Sequence, residues 1–108
     1  MTDSAAIVVL MTAASREEAS QIADHLIESR LAACVQILPG IESVYWWKGE
    51  IERSPEVLLL AKTTQDKFSE IEAAVRSIHS YDTPEIIALP VSAISAPYLE
   101  WLTDTVGS

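Results

Sequence analysis

The chain is poor in glycine, cysteine and positive charge. Among 108 residues it has three glycines, one cysteine, and seven Lys and Arg against sixteen Asp and Glu. Each shortage narrows the function. A formal net charge of −9 repels phosphate backbones and anionic lipid, and the few basic residues are scattered. Binding nucleic acid needs clustered Lys and Arg that displace counterions, so neither nucleic acid nor a membrane surface is an expected partner. None of Gly40, Gly49 and Gly107 belongs to a glycine-rich loop opening a helix, so no backbone cradle for phosphate is visible. One cysteine cannot form an intramolecular disulfide, and nothing points to an oxidising compartment. The start, Met1-Thr2-Asp3-Ser4, carries no positive side chain. The apolar stretch from Ala5 to Met11 is too short for a signal peptide, and no run is long enough to span a membrane. A cytoplasmic place is expected. Gly-x-Ser-x-Gly, His-Glu-x-x-His and Cys-x-x-Cys are all missing, so no enzyme is expected either.

What is present suits a packed globule. Hydrophobic residues make up 49% and charged residues 21%, which argues against disorder. Residues 1–108 read as a single domain. Ile7-Val8-Val9-Leu10-Met11 is a short β-branched run, expected as a strand buried on both faces. Ser15 and Glu18 have capping-box spacing, and Ala19, Ile22, Ala23, Leu26 and Ile27 form one helical stripe. His25 falls on the opposite side of that helix. Ala33 to Trp47 reads as a second strand, interrupted at Pro39-Gly40 by a bulge or bend. Trp47-Lys48-Gly49-Glu50 places glycine where a hairpin turn needs positive φ. Glu56 to Lys62 continues as a third strand. Thr63 or Thr64 is the expected cap of a second helix, with Phe68, Ile71, Val75 and Ile78 on its buried stripe. Tyr81-Asp82-Thr83-Pro84 is a turn, and Glu85 to Val91 a fourth strand. Pro97 suits the first turn of a short terminal helix lined by Leu99, Leu102 and Val106.

The order βαββαβ with right-handed crossovers predicts an α+β, ferredoxin-like sandwich: four strands with helices on one face. Pro39 and Pro90 belong on edge strands or bulges. The predicted sheet order is therefore 4-1-3-2, with a long hairpin between the second and third strands.

Few side chains offer chemistry. Cys34 could pair with His79 or His25, against the alternative of a small buried hydrophobe. His79 ends the second helix beside its apolar stripe. It reads either as a ligand or acid/base at a cleft edge, or as a histidine favoured there by the helix dipole. Lys62 and Glu85, at strand ends, could approach the same rim as His79 and Tyr81, as a surface salt bridge or as a buried pocket. Tyr45, Trp46 and Trp47 alternate across a strand. So long and apolar an edge would invite aggregation, which favours a subunit interface over packing within the hairpin.

Several strings together resemble the CutA family of divalent-cation tolerance proteins. They are Val8 to Ala13, Leu31-Ala32-Ala33-Cys34, Pro39 to Gly49, Leu60 to Thr64, His79 to Ile86, Leu89-Pro90-Val91 and Tyr98 to Leu102. The resemblance implies a ferredoxin-like subunit in a tight homotrimer, similar to PII signalling proteins. It implies association with copper, as Cu(II), or another divalent cation, and a cytoplasmic place. It implies a cleft between subunits that maps onto Cys34, Lys62, His79, Tyr81 and Glu85. Some members carry a cysteine where this chain has Met11, and a His-His pair where it has Ile78-His79. His79 is thus the first candidate ligand, with Met11 a weaker one as a soft thioether. The function implied is non-enzymatic metal tolerance by a trimer. The alternative is a PII-like sensor of small molecules, or a scaffold for other proteins, in which metal is incidental.

Overall fold

The structure is a computed structural model that describes residues 5–107. Its elements run β1 (Ala6–Ala13), α1 (Arg16–Glu28), β2 (Cys34–Trp47), β3 (Glu50–Thr64), a 3-10 turn (Gln65–Lys67), α2 (Phe68–Ile78), β4 (Ile86–Pro90) and α3 (Ala96–Val106). One sheet orders them β2-β3-β1-β4, every pairing antiparallel. This is the predicted 4-1-3-2 order read from the other edge. The two proline-bearing strands, β2 and β4, are the edges, where a missing N–H costs no ladder bond.

Alternation decides which face packs. Val9, Met11 and Ala13 of β1 share a face with Val57, Leu59 and Ala61 of β3. They meet Ala19, Ile22, Ala23 and Leu26 of α1, and Ile71 and Val75 of α2, in one core. Ile27 and Ile78, expected on the helical stripes, are instead about two-fifths exposed. Both sit in the last turns of their helices, where the apolar face runs past the sheet. On α3, Leu102 and Val106 are buried as read, and Leu99 is half-buried.

Local chemistry sets the element ends. The Ser15 hydroxyl accepts from the Glu18 amide at 3.1 Å, capping α1. Neither Thr63 nor Thr64 caps α2, which starts later, at Phe68. Thr63 is buried and its hydroxyl donates to the Leu31 carbonyl at 2.7 Å, while Thr64 turns its hydroxyl to the Asp66 carboxylate. The 3-10 turn Gln65–Lys67 lies between them and the helix. The third strand is longer than read, since Glu50 to Pro55 pair with β2 beyond the apolar run. Lys48 and Gly49 both have positive φ, as a two-residue type I′ hairpin requires. The register shifts between Leu38 and Ile41, so Pro39-Gly40 is a β-bulge. Beyond it the hairpin projects as an arm with Val44, Trp46, Trp47 and Ile51 each more than half exposed.

Candidate functional site

The arm leaves the sheet beside the loop 79–85, and a groove of about 620 Å³ lies between them. The hairpin contributes Tyr45, Trp47 and Glu56, the loop contributes Tyr81, Asp82 and Glu85, and Thr12 lines it from the end of β1. Tyr45 and Trp47 reach it together because they point to one side of β2, while Trp46 faces the other side opposite Ile51.

Glu56 is the buried charge of this groove, at 8% exposure. The Tyr81 hydroxyl donates to its Oε2 at 2.8 Å. Burial, then the Glu56 carboxylate, pushes the Tyr81 hydroxyl well above its ordinary value. Among the described residues no Lys, Arg or His lies within ion-pair distance of Glu56. Asp82 and Glu85, at the loop ends of the groove, are exposed.

His79 lies behind Tyr81, with its side chain fully buried. Its Nε2 is 2.7 Å from the Thr12 carbonyl oxygen, and the Tyr81 amide donates to its Nδ1 at 3.0 Å. A carbonyl can only accept and an amide N–H can only donate. The ring is therefore neutral, with its proton on Nε2. The rings of His79 and Tyr81 lean together, centroids 4.8 Å apart. Glu18 closes the arrangement from α1. Its Oε1 accepts from the Ala14 amide at 2.9 Å and its Oε2 from the Ser80 amide at 2.7 Å. Burial pushes the Glu18 carboxyl up, but the hydrogen bonds from Ala14 and Ser80 outweigh it and hold the group below its ordinary range.

The remaining candidates lie elsewhere. Cys34 and Lys62 are cross-strand partners, and Lys62 is level with Val8 and Leu89. Glu85 precedes Ile86, the partner of Met11. The offset is four residues, about 13 Å along a strand. Lys62 therefore does not share a rim with Glu85, His79 and Tyr81 in one chain. It lies instead beside α3, its Nζ 5.9 Å from the Tyr98 ring centroid. Burial and then Cys34 raise the Tyr98 hydroxyl. Met11 is fully enclosed in the helix-side core, so its sulfur faces apolar side chains and no cleft. His25 is exposed on α1.

Two residues central to this geometry were not singled out in the sequence. Glu56 read as the start of a strand, where a carboxylate is ordinarily exposed, so the sequence carries no mark of its burial. Glu18 read as a capping residue, and its contact with Ser80, 62 positions away, leaves no local trace. As donors for a cation, the groove offers carboxylate oxygens, which suit hard divalent ions. His79 as placed offers no free nitrogen. No group of three or more His, Cys, Asp or Glu among the described residues is arranged to hold a metal ion.

Comparison with known proteins agrees with the fold. The family model described as CutA1 divalent ion tolerance protein matches residues 7–105. The Divalent-cation tolerance protein CutA of Thermus thermophilus is 47% identical over 100 residues, covering 93% of this chain and 97% of that one. The solved structure of the periplasmic divalent cation tolerance protein CutA from Archaeoglobus fulgidus superimposes with a TM-score of 0.91 at 42% identity, covering 94% of this chain and 98% of that one. CutA1 from Oryza sativa gives 0.92 at 42% identity, with 97% and 96% covered. The chain belongs to the CutA1 divalent ion tolerance family.

Proposed function

We propose that the protein serves divalent-cation tolerance as a non-enzymatic homotrimer in the cytoplasm, meeting cations, Cu(II) among them, at the groove of Glu56, Tyr81, Asp82 and Glu85. The observation that carries this reading is Glu56. A carboxylate this buried needs a compensating charge, and the described residues give it one hydroxyl. The exposed carboxylates of Asp82 and Glu85 add negative potential at the same opening. A neighbouring subunit supplies what a single chain lacks to complete the site. Cys34 and Lys62 enter such a cleft only from that neighbour. The trimer reading rests on apolar surface without cover: Leu38, Ile87 and Leu89 on the sheet, and Tyr45, Trp46 and Trp47 on the arm.

Calorimetric titration with Cu(II) tests the site. The expected result is stoichiometric binding by the wild type and by His79→Ala, with at least tenfold weaker binding by Glu56→Gln, roughly the loss of one ligand charge. Equal binding by wild type and Glu56→Gln overturns the assignment. A stable monomer at micromolar concentration in sedimentation overturns the trimer.

One observation favours the second reading, a PII-like sensor. The groove volume of about 620 Å³ and its walls of Tyr45 and Trp47 match the size and lining of small-molecule pockets. A thermal-shift screen of metals against metabolites separates the two, because a ligand that binds only the native state raises its stability.

A further inference from the structure

We infer that His79 and Glu18 form a latch that positions Tyr81 at the groove, and that His79 is a positioning residue and not a metal ligand. The inference rests on the proposed function only for what Tyr81 serves once it is positioned.

A metal-bound imidazole must present an unprotonated nitrogen to the ion. Here the Nε2 proton is committed to the Thr12 carbonyl, which leaves Nδ1 as the sole lone pair. That lone pair points into the turn of its own backbone, where the Tyr81 amide donates to it at 3.0 Å. The side chain has no exposed surface through which an ion could arrive.

Protonating the ring does not free it for another role. An Nδ1–H would face the Tyr81 N–H, donor against donor. Among the described residues Glu18 alone is a carboxylate within ion-pair distance, and it lies 3.7 Å from Nδ1, beyond hydrogen-bond length. Its two oxygens are already held by the Ala14 and Ser80 amides.

The same bonds explain what the histidine does. Through Nε2 it ties the residue after α2 to the end of β1. Through Nδ1 it closes a two-residue turn that sets the direction of Tyr81. Glu18 clips the middle of that turn to the start of α1. Three separate elements thus fix one backbone segment, and the Tyr81 hydroxyl leaves it aimed at Glu56.

The test uses the isotope-labelled protein in its native assembly at neutral pH. Two-bond imidazole correlations of His79 are expected to show a neutral ring, protonated on Nε2. In Glu18→Ala the Ser80 and Tyr81 amides are expected to exchange about tenfold faster or more, with the sheet amides unchanged. The Tyr81 hydroxyl, followed through labelled tyrosine Cζ, is expected to titrate closer to the ordinary tyrosine value in that variant. Glu18→Gln keeps one acceptor and serves where the alanine variant does not fold; faster exchange at Ser80 or Tyr81 is expected there too. An imidazolium, a ring protonated on Nδ1, or His79 signals that move in proportion to added Zn(II) in the wild type would overturn the inference. So would exchange unchanged from wild type in the folded Glu18 variant. Absence of cation binding anywhere on the protein defeats the groove reading alone and leaves these readouts untouched.

Discussion

On the helix side of the sheet Val9, Met11, Leu59 and Ala61 are fully buried, while on the other side Leu38, Ile87 and Leu89 stand about half exposed. Both sides are apolar, so composition does not separate them. Cover does: α1 and α2 close the first side over β1 and the inner half of β3, whereas the second side meets α3 beside Lys62. The first side is the core that a single chain closes for itself. The second carries hydrophobic surface that a single chain leaves in water, and the candidate groove opens at its end.

The strongest way to break this contrast is to cut a methyl-bearing side chain from each side. Leu59→Ala is expected to cost about 2–5 kcal/mol in chemical denaturation, because the closed core cannot collapse into the space. Leu38→Ala is expected to cost less than about 1 kcal/mol of subunit stability. Similar losses at both positions would mean that the two sides are equally closed. The next effect concerns assembly. Ile87→Asp with Leu89→Asp is expected to convert a trimer to monomers in sedimentation, with the far-ultraviolet dichroism retained. A monodisperse trimer of that variant would place the subunit contacts elsewhere.

The groove end gives smaller effects. Tyr81→Phe leaves Glu56 without its donor and is expected to cost about 1–3 kcal/mol, read from the urea midpoint. The smallest effect is one of pH. The folded Glu18 carboxyl lies below its ordinary value of 4.5. It therefore contributes stability that is complete above that value and is lost as pH falls through the lowered one. The gap in unfolding free energy between wild type and Glu18→Gln should narrow from pH 6 to pH 3. A constant gap would separate Glu18 from the acid limb.

Much of the fold was legible because it rests on local patterns. The continuous apolar runs of β1 and β3 and the positions of Pro39 and Pro90 were enough to order the sheet. The family strings fixed the architecture independently. The site was less legible. Tyr81 and Glu85 do line the groove, but Lys62 lies about four residues away along the strands. Strand order alone does not reveal register, and register decides which strand ends meet. His79 was visible as a residue of interest, yet its role depends on the carbonyl of Thr12 and the amide of Tyr81. Backbone groups carry no sequence signal. Glu56 was hidden because a strand of apolar residues draws attention away from the charge that begins it.

The bulge at Pro39-Gly40 has a consequence for which aromatics the groove sees. Before it, Val35 and Ile37 point to the helices; after it, Ile41, pairing with Glu56, points the other way. The inserted residue acts as a phase shift, so odd-numbered positions change sides midway along one strand. Were Pro39 and Gly40 both paired in a regular ladder, with no bulge, the original phase would run on through every arm residue. Tyr45 and Trp47 would then turn away from Tyr81, and Trp46 would turn towards it. Loops elsewhere in this fold can absorb an insertion or deletion in length alone. At this position one unpaired residue decides which surface of the arm meets the groove.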